Sequence, residues 1–143
     1  MDMALAEALR AEAEGEVPVG AVVAAPDGRI LAACHNQPVG LHDPTAHAEI
    51  LAMRTAGAAL GNYRLNGCVL VVTLEPCPMC AAALLHARLA GVVYGAADPL
   101  AGAVTSCAEY LGWPGQGPWH MGGVQAEACA ALLQKFFSLR RGV

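Results

Sequence analysis

Gly67-Cys68-Val69-Leu70-Val71-Val72-Thr73-Leu74-Glu75-Pro76-Cys77-Pro78-Met79-Cys80 is the stretch whose reading decides the fold. Residues 67 to 74 form a continuous run rich in β-branched side chains, the pattern of a strand covered on both faces and therefore central in its sheet. Pro78 suits the first turn of a helix, where the missing proline N–H costs nothing, and the helical pattern continues through Ala81 to Leu89. Val92-Val93-Tyr94 reads as the next strand.

On the N-terminal side, Val17 to Ala25 and Ile30 to Cys34 are apolar runs separated by Pro26-Asp27-Gly28, a turn signal that joins them as a hairpin. Residues 3 to 14 place Ala4, Leu5, Ala8 and Leu9 at helical spacing. After a polar loop from His35 to Pro44, Thr45 to Ala59 reads as a helix with Thr45 or Asp43 as N-cap, ended by Gly61-Asn62. Residues 98 to 123, rich in Gly and Pro, resist assignment; Ala126 to Arg140 has strong helical periodicity and a basic end in Lys135, Arg140 and Arg141. Strands alternating with helices predict an α/β fold, a three-layer sandwich around a mixed sheet. The length of 143 residues predicts one domain over 1–143.

Composition narrows the function. A hydrophobic content of 56% excludes disorder. The longest charge-free stretch, Tyr110 to Ala126, holds five Gly and two Pro and cannot be a spanning helix, so no membrane partner is expected. Twelve acidic against eight basic residues, net charge −4, argue against a broad grip on polyanions and leave room only for a local basic patch. The opening Met1-Asp2-Met3-Ala4 lacks the cationic start and apolar block of a secretory signal, which makes a cytoplasmic location the expectation. Six cysteines then read as thiols, catalytic groups or metal ligands in preference to a disulfide framework.

Three candidate ligands stand out: His47 at the start of one helix, and Cys77 and Cys80 at the start of another. Cysteines at i and i+3 share a helix face, and the exposed N–H groups of a helix N-terminus favour thiolates. One imidazole and two thiolates suit zinc and leave its fourth tetrahedral position open, as in catalytic sites. A closed structural site would need a fourth ligand from Cys68, Cys107 or Cys129, none of which forms a second Cys-x-x-Cys pair. Glu49 supplies the base that zinc lacks, able to take a proton from water and then to deliver protons to the substrate and leaving group. On an ideal helix, i and i+2 point about 200° apart, so His47 and Glu49 can share a site only if His47 lies at the helix start. His47-Ala48-Glu49 followed by Pro76-Cys77-Pro78-Met79-Cys80 matches the zinc-deaminase signature. His35, His42, His86 and His120 are assigned no metal role.

The chain resembles the bacterial tRNA-specific adenosine deaminases of the cytidine-deaminase-like superfamily. The residues that carry the resemblance are Glu16 to Val22, Asn36, His42 to Ile50, Asn62 to Leu65, Thr73 to Cys77 with Cys80, Tyr94-Gly95-Ala96 with Asp98, and Cys129 to Leu133 with Phe136-Phe137 and Arg140-Arg141. The resemblance implies a central five-stranded mixed sheet and a homodimer. It also implies hydrolysis of adenosine to inosine at the wobble position of a tRNA anticodon loop, with release of ammonia. By the same resemblance His47, Cys77 and Cys80 hold Zn2+, Glu49 is the catalytic proton shuttle, and Asn36 and Asp98 bind substrate. Asn36 would contact the base, its other reading being a loop cap; Asp98 would contact the neighbouring nucleotide, its other reading being a turn former before Pro99. The chain departs from the family at Ala97 and Leu100, where basic neighbours of Asp98 are expected, and over Glu109 to Gly123, with Trp113 and Trp119. tRNA binding then rests on Arg64, the Lys135 to Arg141 end, stacking on Trp or Tyr, and a second subunit. That basic end otherwise complements its own helix dipole. Two other readings stand beside this one: a deaminase of a free nucleobase or nucleoside of guanine or cytosine type, and a zinc-stabilised binding module with an idle site.

Overall fold

The computed structural model describes residues 1–112 and 117–142. Its elements run α1 (Asp2–Ala13), β1 (Gly20–Ala24), β2 (Ile30–His35), α2 (Pro38–Leu41), α3 (Ala48–Leu60), β3 (Val69–Leu74), α4 (Pro78–His86), β4 (Gly91–Ala96), β5 (Trp119–Met121) and α5 (Ala126–Arg141). The five strands form one sheet in the order β2-β1-β3-β4-β5. β1 is antiparallel to both β2 and β3, whereas β3, β4 and β5 are parallel. The sheet is thus mixed, and β3 is its middle strand, as its unbroken apolar run predicts.

Helices cover both faces. α1 packs on β1, β2 and β3 and touches α5, which lies on β3 and β4; α3 packs on β1, β2 and β3 and meets α4. Small residues set the spacing. Ala4, Ala8 and Ala11 of α1 are fully buried, and a Cβ added at Gly20 would stand 1.9 Å from the Ala4 carbonyl oxygen, so only glycine lets α1 lie this close to β1. The largest fully buried side chains, Leu65, Leu70 and Leu84, fill the space between the sheet and the α3/α4 layer. No helix among the described residues is long and apolar enough to cross a membrane.

The structure moves several element boundaries. α3 starts at Ala48, three residues after Thr45, with His47 as N-cap. The Asp43 carboxylate is spent on a local turn, accepting both the N–H and the hydroxyl of Thr45 at 2.9 and 2.7 Å. α4 stops at His86, short of Leu89, because Arg88 adopts a left-handed backbone (φ 61°) that turns the chain into β4. The loop after His35 contains the single-turn helix α2. The unassigned segment supplies the fifth strand, β5, whose three residues are all exposed; periodicity has little to register in so short an edge strand.

Candidate active site

Two helices begin at one place. His47 is the N-cap of α3 and Cys77 the N-cap of α4, both with extended backbone (φ −67°, ψ 151° and φ −75°, ψ 173°). Cys80 follows in the first turn of α4. Because His47 stands outside the helix, the 200° separation of an ideal helix does not apply. Its ring turns toward α4 while Glu49, the second residue of α3, is buried with only 4% of its surface exposed.

His47 Nδ1 lies 3.6 Å from Cys77 Sγ and 3.6 Å from Cys80 Sγ. All three ligand atoms fall within 4.8 Å of one another, and no other such cluster of His, Cys, Asp and Glu occurs among the described residues. These spacings test the donor set. A tetrahedral zinc with Zn–S about 2.3 Å and Zn–N about 2.05 Å separates its nitrogen and sulfur ligands by about 3.6 Å. The residues fit the ion, and they supply three ligands, leaving one position for solvent or substrate.

Hydrogen bonding and burial shift the protons among these four side chains. The Cys80 thiol, donating to Cys77, holds the Cys77 thiol at about 4 against the opposing effect of burial, and His47 lowers it further. The Cys77 sulfur correspondingly raises the pKa of His47, with burial opposing and the Glu49 charge assisting. Donation to Cys77 and burial push Cys80 far upward. Cys77 and Cys80 would hold a cation as thiolates, favoured by the partial positive charge of the α3 and α4 N-termini. Burial pushes the Glu49 carboxyl up, while a hydrogen bond with Cys80 and the His47 charge pull it down. A carboxyl so placed is suited to exchanging a proton.

Asn36, which follows β2, reaches the same helix start. Its Oδ1 accepts the Ala48 N–H at 3.1 Å and its own N–H donates to the Val19 carbonyl at 3.0 Å. Nδ2 makes no hydrogen bond among the described residues and is not fully buried, so its two donors are available to a ligand. Asn36 is therefore a cap through its oxygen and a free donor through its nitrogen. Asp98 is half-buried, and its Oδ1 accepts from Leu100 N–H at 3.0 Å and Ala101 N–H at 3.2 Å. One oxygen of Asp98 thus performs the turn-forming role.

The sequence reading missed Glu75. This carboxylate is 2% exposed and organises the entire 98–106 loop. It accepts N–H bonds from Asp98 (3.1 Å), Val104 (3.1 Å), Thr105 (2.9 Å) and Ser106 (3.0 Å), together with the Ser106 hydroxyl. Burial alone would raise its pKa, but these donors outweigh burial and hold it at about 2. The signal was a lone acid between a buried strand and Pro76, a position where a charge survives only if satisfied.

Residues 1–96 match the cytidine and deoxycytidylate deaminase zinc-binding region. The chain belongs to that deaminase family. The deaminase is 45% identical to the tRNA-specific adenosine deaminase of Agrobacterium fabrum over 99% of this chain and 93% of that protein. A solved structure from work on A-to-I editing by tRNA:A34 deaminases at the wobble position of transfer RNA superposes with a TM-score of 0.89 at 45% identity, covering 93% of this chain and 97% of that one. A guanine deaminase from Nitrosomonas europaea superposes with a TM-score of 0.79 at 26% identity, over 96% and 80% of the two chains. The deaminase also spans about a quarter (27%) of the length of the tRNA(Ile)-lysidine synthase of Deinococcus deserti, to which it is 47% identical over 96% of its own length. The five-stranded mixed sheet is the cytidine-deaminase-like fold seen in the A-to-I editing structure.

Proposed function

We propose that this deaminase hydrolyses adenosine at the wobble position of a tRNA anticodon to inosine: water adds at C6 of the purine, the C6–N6 bond breaks, and the amino group leaves as ammonia. The observation that carries the reading is the convergence of His47, Cys77, Cys80 and buried Glu49 at two helix starts, in a chain matched nearly end to end by tRNA-specific adenosine deaminases. In this reading His47, Cys77 and Cys80 hold zinc. When bound, zinc supplies the Lewis acidity that makes water a competent nucleophile near neutral pH. Glu49 accepts one proton of the attacking water and delivers it to the purine ring nitrogen, then carries the remaining hydroxyl proton to the departing amine, which leaves as ammonia. Asn36, its oxygen fixed on Ala48, donates through Nδ2 to a purine acceptor, and the loop pinned by Glu75 carries Asp98 toward the neighbouring nucleotide. Residues 1–143 act as one catalytic domain, in the cytoplasm, as a homodimer. The free-nucleobase reading has the weaker support: guanine deaminases match at 41% identity over only 67% of this chain with a TM-score of 0.64, or at 26% over 96% with 0.79, against 45% over 93% with 0.89 for the A-to-I editing structure.

The surface supports an RNA substrate in spite of the net charge. Two adjoining grooves of about 740 and 600 Å3 flank α4, lined by Arg54, Arg64, Arg88 and His86; Arg54 pairs with Asp43 at 3.8 Å, whereas Arg64 and Arg88 have no ion pair among the described residues. Tyr63, 75% exposed, carries the Arg64 guanidinium 5.4 Å from its ring centroid. Cations with an open aromatic face are what a phosphate backbone with unstacked bases requires. His86, the last residue of α4, stands about 9 Å from Cys80 along the helix, within reach of the nucleotides that flank a base at the site. The Lys135 to Arg141 end contributes less than the sequence suggested. Lys135 pairs with Glu12 at 2.9 Å, and Arg140 binds the Gly15 carbonyl at 2.7 Å, which ties α5 to the α1 end. Trp113 lies outside the described residues.

The test is to incubate tRNA with the purified protein and sequence it. Adenosine read as guanosine at the wobble position is expected; ammonia released from free nucleosides or nucleobases, with the tRNA untouched, would overturn the substrate assignment.

A further inference from the structure

One charge cluster, built on the buried side chains of His35 and Glu7, lies outside the site and has no part in the chemistry of deamination. His35, the last residue of β2, is 5% exposed. Its Nδ1 lies 2.9 Å from a Glu7 carboxylate oxygen and its Nε2 lies 2.8 Å from a Glu14 carboxylate oxygen. The other oxygen of Glu7 accepts from Arg10 at 3.0 Å, and the Gln37 side-chain amide stands 3.1 Å from His35 Nε2. A carboxylate oxygen thus faces each ring nitrogen, and the Arg10 guanidinium holds the far oxygen of Glu7. On the opposite face of the strand end, Cys34 Sγ lies 3.6 Å from the Thr55 hydroxyl of α3.

The position of His35 gives the cluster a consequence. Side chains along a strand alternate between faces, so holding His35 toward α1 turns the next residue, Asn36, toward α3. Asn36 is the residue whose oxygen caps Ala48 and whose Nδ2 is free. The segment beyond it is closed on itself and tied to the α1 tail: Gln37 N–H donates to the Ala46 carbonyl at 3.0 Å, and buried Glu16 accepts from the Val39 and Gly40 N–H groups at 3.1 and 2.8 Å. Three acids from α1 and its tail thereby anchor the chain between β2 and His47.

We propose that His35 is a positioning residue for deamination: clamped between Glu7 and Glu14, it fixes the backbone from which Asn36 reaches both the α3 N-terminus and the substrate base. The assignment rests on the deamination reading above. It acts on the alignment of the base and hardly on RNA affinity, most of which comes from phosphate contacts. A misplacement of about 1 Å in a reacting geometry costs on the order of 10²-fold in rate.

The experiment is a double-mutant cycle between His35→Ala and Asn36→Ala, reading kcat, KM and zinc content with an anticodon stem-loop. His35→Ala is expected to lower kcat per zinc-loaded site by about 10- to 100-fold with KM changed less than about 3-fold. In the Asn36→Ala background it is expected to cost little more, since it acts through that residue. His35→Gln, which keeps one donor, should recover part of the rate. A wild-type kcat in His35→Ala, or losses that add fully with those of Asn36→Ala, would overturn the proposal. If His35→Ala does not load zinc, the cycle is read with His35→Gln against the same criteria. If the wild-type protein deaminates only a free base, the substrate reading fails, and the cycle is run on that base, where the same non-additivity decides the role of His35.

Discussion

The amide oxygen of Asn36 caps α3 by accepting the N–H of Ala48 at 3.1 Å, directly between the zinc-fitting His47 and the buried Glu49. The two ends of one amide thus serve different purposes, and substitution can separate them. Asn36→Asp keeps an acceptor for Ala48 but loses the outward donors, whereas Asn36→Ala loses both. Asn36→Ala is expected to cost about 1 kcal/mol in chemical denaturation and Asn36→Asp less, in line with helix-capping losses. Both should lower kcat/KM by at least about 100-fold, since a site built to donate to a polar substrate group discriminates strongly on that contact. An Asn36→Asp protein with wild-type rates would leave only the cap.

Glu49 supplies no ligand atom to the metal-fitting cluster, which consists of His47, Cys77 and Cys80. Glu49→Ala is therefore expected to bind about one zinc per chain, as three protein ligands remain for it, while turnover falls to background. Burial raises the pKa of this carboxyl in the folded chain. The stability it contributes is accordingly present below its unfolded pKa and lost as pH rises, so at neutral pH Glu49→Gln should not lower the denaturation midpoint of the metal-free protein. Metal analysis beside a single-turnover assay checks both statements; a zinc-free Glu49→Ala protein would make the residue a ligand or its support.

What the sequence reveals here depends on range. The β3 run, Pro78 at a first turn, and the His47, Cys77 and Cys80 spacing are local patterns, and each leads to the observed central strand, helix and ligand cluster. The start of α3 was misplaced because Asp43 and Thr45 look like caps, yet the cap comes from Asn36, across the turn between β2 and α3. Sequence assigns no role to Glu7, Glu14, Glu16 or Glu75 individually, but each is claimed by a partner 21 to 31 residues away. Such pairings are made by topology, which periodicity does not encode.

Arg64 and Arg88 line the same groove without an ion pair among the described residues. If they neutralise RNA phosphates, Arg64→Ala/Arg88→Ala should weaken stem-loop binding at low salt and flatten the dependence of log Kd on log salt by about 0.7 to 0.9 per lost contact. The value of kcat at saturating RNA should change little, because neither residue belongs to the metal-fitting cluster. Sedimentation of the same variant checks the competing use of this face: a shift in the monomer–dimer balance with an unchanged salt slope would assign the arginines to a subunit interface.

Glu75 links pH to the loop that bears Asp98. Its carboxyl is held at about 2 in the folded protein, against an ordinary value of 4.5. A depressed folded pKa contributes stability that is fully present above the unfolded value and is lost as pH falls toward the folded one. The window is therefore about pH 5 down to about pH 2, and the full contribution is on the order of 3 kcal/mol. Glu75→Gln should be destabilised by roughly that amount at pH 7, with the gap to wild type closing steadily below pH 5. Urea denaturation of both proteins across this range measures the gap directly. A difference that stays constant with pH would mean that the substituted amide fails by shape alone, and that the charge of Glu75 is not what gathers Asp98, Val104, Thr105 and Ser106 around one buried point.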